Sequence, residues 1–259
     1  MKIIPLGTNG FFASFGRQTA CYAIPYENIL ILMDAGSGLF RLAEPVGQKL
    51  LTEAEEVYIF LSHYHLDHTF GFYTAFKLLE EKKVRVFAPS GKQVFSEFVR
   101  LNYFPIDYSK MHKNFSWNTL KEGVNNLDKF KVSIRKQNHR GEVSLAMRFS
   151  FGLSYLTDCE SSRKNISLVK GTEILLHEHW FSGETLGDYR KIPLEKQVLD
   201  GHATTVGAAL FAKKVSVGKL VLIHHNPFTK EKQLGRQLTL AKLIFPNTIL
   251  AQDLHIITF

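Results

Sequence analysis

The stretch His63-Tyr64-His65-Leu66-Asp67-His68 sets three imidazoles and a carboxylate within six residues, one residue beyond the unbroken apolar run of residues 57–61. Such a run, rich in β-branched and aromatic side chains, predicts a buried strand. Phe72, Phe76 and Leu79 then recur at helical spacing up to Lys82. The histidines therefore stand on a short loop between a strand end and a helix start, where side chains converge without disturbing the core. Imidazole and carboxylate are the ligands of zinc and neighbouring first-row metals, and an alternating pattern lets one loop serve two ions. A lone histidine here would read as structural. The whole cluster so read would bury several polar rings to no shared purpose.

Outward from this loop, residues 84–88 predict a second strand, and Val94, Phe95, Phe98 and Val99 predict a helix after it. Strand, helix, strand, helix is the order of an α/β chain. Upstream, 2–6, 20–24 and 28–33 read as short strands separated by Gly- and Asn-bearing turns. Periodicity fails over 102–126, which reads as an irregular insert or small lid. Strands resume at 130–138, 145–151, 153–157 and 173–177. A helix over 205–215, a strand over 220–223, a helix over 231–245 and strands at 248–250 and 254–258 close the chain. Two β-rich halves, each followed by helices and joined without a linker, predict a single domain over 1–259.

With 259 residues and 45% apolar content, the chain can bury a sizeable core. No apolar run approaches the roughly 20 residues that cross a bilayer, and no leader-like pattern opens the chain. Two cysteines, Cys21 and Cys159, are too few for a disulfide framework. These features predict a cytoplasmic protein with no membrane partner. The net charge of +8 favours anionic ligands. Basic residues gather at Lys82, Lys83 and Arg85, from Lys129 to Arg140, and at Arg163 and Lys164. Most read as solvated faces, while Arg140, next to His139, is the candidate for steering a phosphate. The 21 phenylalanines fall at core-like periods and form no base-stacking motif.

Residues 63–68 match the HxHxDH motif of the metallo-β-lactamase superfamily, and other segments agree in the family's order. The opening Leu6-Gly7-Thr8 resembles the first strand of the branch that contains ribonuclease Z and related phosphodiesterases. Asp34-Ala35-Gly36-Ser37-Gly38 is similar to the turn after that family's early hairpin. Asn138-His139-Arg140, Tyr155-Leu156-Thr157-Asp158, Gly201-His202-Ala203-Thr204 and Leu222-Ile223-His224-His225-Asn226-Pro227 resemble the later motifs. The resemblance spans nearly the whole chain. It implies a four-layer αβ/βα sandwich, the metallo-β-lactamase fold, holding two divalent ions, zinc first and manganese as the alternative.

Carried over residue by residue, the resemblance implies that His63, His65 and His139 hold one ion. Asp67, His68 and His224 hold the other, and Asp158 bridges. His224 is preferred to its neighbour His225 because it directly follows the apolar strand, and strand alternation turns the two rings in opposite directions. His202 is implied to hold the substrate phosphate or to act as general acid, completing with Asp67 and Asp158 the catalytic set. Its alternative is a helix-entry histidine before Thr204, itself a good N-cap. Asp34 is the candidate acceptor that orients a ligating imidazole, or else a turn aspartate. Arg140 and His225 are weaker candidates for contacts around the site. His177 and His255 read as structural, His112 and His179 as undecided, and Cys159 as a small buried thiol.

The implied reaction is phosphodiester hydrolysis by a hydroxide shared between two ions, on a small anionic phosphate-containing substrate. Three rivals remain. One is tRNA 3′-end processing of the ribonuclease Z kind, with nucleic acid as partner, although no basic gripping arm is evident. Another is lactone, thioester or β-lactam hydrolysis. From another class comes a di-iron redox or metal-sensing module, which His65 disfavours because such proteins carry glutamate there. A homodimer is open to the chain, since the 102–126 segment is free to contact either the site or a second subunit.

Overall fold

The computed structural model describes residues 1–90, 114–160, 162–188 and 191–259. The helix expected from Val94, Phe95, Phe98 and Val99, together with His112, lies outside the described residues. The chain divides into two compact units, Met1–Leu120 with Gln252–Thr258, and Lys121–Ala251.

In the first unit, β1 (Lys2–Gly7), β2 (Cys21–Tyr26) and β3 (Ile29–Met33) form an antiparallel meander. From β3 onward the sheet is parallel, through β4 (Glu56–Phe60), β5 (Lys83–Ala88) and β6 (Phe115–Thr119). The strand Ile257–Thr258 pairs with β1 at the far edge. Helices α1 (Pro45–Glu53), α2 (Leu66–Thr69) and α3 (Phe72–Leu78) serve the parallel part. Alternate strand residues Leu30, Leu32, Val57, Ile59, Val84 and Val86 share one cluster with Leu50, Leu51, Phe72 and Phe76 of the helices. Residues of the other parity, such as Ile31, Tyr58 and Phe60, are buried as well. Burial on both faces is what gives a parallel strand its continuous apolar run.

The second unit repeats the plan. β7 (Gly123–Asn126), β8 (Lys131–His139), β9 (Glu142–Phe149) and β10 (Leu153–Leu156) are antiparallel. They are followed in parallel by β11 (Ile174–Glu178), β14 (Lys219–Ile223) and β15 (Thr248–Leu250). Helices α4 (Ile166–Val169), α5 (Thr205–Val215) and α6 (Glu231–Ile244) pack on this sheet through Leu168, Phe211, Ala241 and Ile244. A separate two-stranded ribbon, β12 (Val198–Leu199) with β13 (His202–Ala203), precedes α5. Thr204 caps α5, its Oγ1 accepting from Gly207 N at 3.0 Å.

Within 114–126 the expected irregular segment is ordered as β6 and β7. Both are edge strands, exposed at several positions, so neither shows an unbroken apolar run. The last strand is shorter than expected: His255 precedes it and is exposed. Helix α1 escaped the sequence reading because its buried face consists of Gly47, Leu50 and Leu51 alone, too few apolar side chains to show a period, although Pro45 sits at the first turn, where proline is favoured.

Candidate metal centre

Parallel strands end together, and their C-terminal edge is where an α/β sheet places chemistry. In the first unit the register Met33↔Phe60 brings Asp34 and the loop 61–65 to one edge. Asp34 leaves β3 in the left-handed region, φ 58°, a conformation that aspartate tolerates better than most residues. Its carboxylate accepts from Ser62 N at 2.7 Å and Ser62 Oγ at 2.9 Å, and lies 2.8 Å from His68 Nδ1. Asp34 and His68 are fully buried. The carboxylate thus fixes the His68 ring and directs Nε2 away from itself, toward Asp67 Oδ2 at 3.2 Å. His63 stands 4.5 Å from His65 and 4.3 Å from His68, ring centre to ring centre.

The glycines of the early turn let this loop close. A Cβ on Gly36 would sit 2.1 Å from the Asp67 carbonyl oxygen, so only glycine admits the approach. Ala35 N donates to His68 O at 2.8 Å and Gly71 N donates to Ala35 O at 2.7 Å, tying the turn to the end of α2 and the start of α3.

In the second unit β11 lies between β10 and β14, with Leu156↔His177 and Glu178↔Ile223 in register. Asp158 and His224 therefore emerge on either side of Glu178. Both do so with positive φ, 45° and 56°. Left-handed non-glycine residues carry a backbone cost of about 1 kcal/mol or more and concentrate at functional sites. Asp158 Oδ1 is 3.5 Å from His139 Nε2, and its Oδ2 is 3.2 Å from His224 Nε2 and accepts from Thr157 Oγ1 at 2.8 Å. Asp158, Glu178, His202 and His224 each offer a donor atom within 4.8 Å of the others, a group able to hold a metal ion.

Glu178 was missed from sequence. It is fully buried, its Oε1 accepting from Cys159 N and Ala203 N at 2.9 Å each, while Oε2 is 2.9 Å from His202 Nδ1 and 3.4 Å from His224 Nδ1. Burial pushes its pKa up, but His202, with His224 beside it, outweighs that and holds the carboxyl well below the ordinary carboxylate range. The signal for it was an acid interrupting the run Ile174-Leu175-Leu176, flanked by His177 and His179. His202 also stacks on Trp180, centroids 4.7 Å apart and planes 16° apart.

His225 is placed differently. Its Nε2 lies 2.8 Å from Ala251 O and its Nδ1 lies 2.7 Å from His179 Nε2, while His179 Nδ1 is 3.0 Å from Thr205 Oγ1. A carbonyl only accepts, so His225 carries its proton on Nε2, and His179 must donate to His225 Nδ1. Both nitrogens of His225 are thereby engaged within the core. Burial, with the His225 ring next to it, drives the His179 pKa well down. Arg140 is engaged as well: it forms an ion pair with Asp200, and its Nε donates to Asp200 O at 2.9 Å. It clamps the ribbon that carries His202. His177 is buried, its Nδ1 2.8 Å from Glu178 O. Burial and the nearby Glu178 carboxylate raise the pKa of the Cys159 thiol well above its usual value, which makes it inert.

A family model described as a β-lactamase superfamily domain matches residues 30–225. Ribonuclease Z of Archaeoglobus fulgidus is 22% identical over an alignment covering 97% of this chain and 95% of that protein. Among solved structures, the metallo-β-lactamase fold protein YhfI from Bacillus subtilis superposes with a TM-score of 0.72 at 19% identity, covering 98% of this chain and 97% of its own. A diphosphatase from the PhnP family gives 0.68 at 16% identity, covering 99% and 96%. These likenesses show the metallo-β-lactamase fold, the class expected from the sequence.

Proposed function

The chain belongs to the β-lactamase superfamily, and on that footing we propose that it is a metal-dependent hydrolase acting on phosphodiester bonds. The observation that carries the reading is the same arrangement in each unit: buried imidazoles whose far nitrogen rests on a carboxylate, His68 on Asp34 and His202 on Glu178. Such outer carboxylates orient a ring and raise its basicity, as metal sites require. The donors are imidazole and carboxylate, which suits zinc, with manganese as the alternative.

In the assignment that the family resemblance implies, His63, His65 and His139 would hold one ion, Asp67, His68 and His224 would hold the other, and Asp158 would serve both. Two divalent ions, when bound, would supply Lewis acidity and an activated water. The protein's own residues do the rest. Asp34 keeps the His68 tautomer fixed with Nε2 available. Glu178, ionised, accepts a hydrogen bond from His202 Nδ1, which leaves Nε2 as the ring's free-facing nitrogen. His202 is then the general acid for the departing oxygen, and Glu178 holds its ring in place.

The net charge of +8 and the names of the relatives, a ribonuclease and a diphosphatase, support a phosphate-containing substrate. Cleavage of tRNA like that relative's is the second reading. Against it, the alignment with the Archaeoglobus protein runs over 311 positions, of which 97% of this chain fills only about 251. Some 60 positions of that relative have no counterpart here, which favours a small substrate. Among the described residues no helix is long and apolar enough to cross a membrane. Zinc- or manganese-loaded protein is expected to hydrolyse bis(p-nitrophenyl) phosphate or a cyclic nucleotide. Inactivity across such a panel, with metal bound, overturns the substrate class.

A further inference from the structure

The loop after β1 is built inside out. Asn9 and Arg17 are buried in it, whereas Phe11, Phe12 and Phe15 are 66%, 38% and 54% exposed. Buried polar groups beneath exposed rings reverse the usual partition, and that reversal is the informative case. The polar interior is fully wired. Arg17 Nε donates to Asn9 Oδ1 at 2.6 Å, and Asn9 Nδ2 donates to Ser14 Oγ at 3.0 Å and to Phe12 O at 3.3 Å. Ser14 and Arg17 exchange backbone hydrogen bonds at 3.1 and 2.9 Å. The rings are therefore carried on a rigid scaffold, Phe11 and Phe12 edge to face at 5.3 Å and the Arg17 guanidinium over Phe15 at 5.5 Å.

The scaffold is joined to the metal-binding loop itself. Phe11, held at φ 61°, donates its backbone N–H to Asp67 Oδ2 at 2.7 Å. Leu66, next to Asp67, is 58% exposed. An aromatic shelf fixed to a ligating carboxylate has a natural occupant: a flat ring attached to the phosphate that is being cleaved. We propose that Phe11, Phe12 and Phe15 form a stacking subsite for the aromatic group of the substrate, a nucleobase or an aryl ester. The proposal rests on the phosphodiester reading. It goes beyond the sequence reading, in which the aromatic residues form no base-stacking motif. Every base offers a π-face, so stacking of this kind tolerates many rings while rejecting alkyl groups.

The test compares three monoesters, thymidine 5′-phosphate, phenyl phosphate and methyl phosphate, as competitive inhibitors of bis(p-nitrophenyl) phosphate hydrolysis by metal-loaded protein. The two aromatic monoesters are expected to have inhibition constants about 10-fold below that of methyl phosphate, with a preference for one identifying base or aryl as the natural group. In Phe11→Ala and Phe12→Ala, both exposed and so tolerant of truncation, this ratio falls toward one; in Leu243→Ala, exposed on α6, it stays. Calorimetric binding of thymidine 5′-phosphate against methyl phosphate reads the same contrast without turnover. A ratio near one in wild type, or a ratio the Phe variants leave intact, overturns the shelf. So does a Phe variant that only converts a dimer to monomer in sedimentation, since the rings then cover a second copy. Base-selective binding without hydrolysis of any ester would leave the shelf standing and remove the phosphodiester reading instead.

Discussion

Glu178 Oε2 and His202 Nδ1 lie 2.9 Å apart, both residues buried, with Glu178 also accepting the Ala203 N–H at 2.9 Å from the same ribbon. One carboxylate therefore sets both the ring's tautomer and the position of the strand that carries it. Glu178→Gln keeps the shape but removes the charge. It is expected to lower kcat about 10- to 100-fold with little change in KM, while metal content by mass spectrometry stays at the wild-type level. A fall in metal content of the same size would make Glu178 a ligand instead.

Asp34 is bonded to Ser62 and His68 in the first unit and plays the corresponding part there. Asp34→Asn should weaken metal binding about 10- to 100-fold in competition with a chromophoric chelator. Unaltered affinity would reduce Asp34 to a turn residue.

Trp180 stacks on His202 and stands 5.3 Å from His224. Aromatic pairs contribute about 0.5–1.5 kcal/mol beyond burial, so Trp180→Ala should cost about 3- to 10-fold in kcat and Trp180→Phe should recover most of it. The chain has two tryptophans. Metal loading should therefore change tryptophan emission in wild type and in Trp117→Phe but not in Trp180→Phe. Equal activity of the Ala and Phe variants contradicts a positioning role.

His177 is fully buried, and burial lowers its pKa, only partly offset by its bond to the Glu178 carbonyl. A base whose folded pKa is depressed binds its proton more readily when unfolded, so stability is present above the unfolded value, about 6.5, and lost as pH falls below it. Urea titrations of wild type should show stability falling by up to about 1.4 kcal/mol per pH unit for this one proton. His177→Phe, which packs next to Phe211, should flatten that slope. An unchanged slope assigns the loss to other groups.

The parts of this site legible in the sequence are those at strand ends. Residues 63–68 follow an unbroken apolar run, and Asp34, Asp158 and His224 each stand one or two positions beyond a strand, so local pattern alone brings them to an edge. Glu178 was hidden because it lies inside β11, and only the register with β10 and β14 reveals that it faces Asp158 and His224. Arg140 shows the converse. It stands next to His139 in sequence, but its tie to Asp200, 60 positions away, shows only in the fold. The edge strands β6 and β7 were illegible for want of an apolar run. The exposed rings of the Phe11 loop looked like core until their burial was known.

Two-metal phosphodiester hydrolysis is tested most directly by metal titration of the chelator-stripped protein, with hydrolysis of bis(p-nitrophenyl) phosphate as the readout. Activity is expected to rise with added zinc or manganese and to level off at two ions per chain. A chain that binds two ions and cleaves no phosphodiester, or one that is fully active without any, would contradict it.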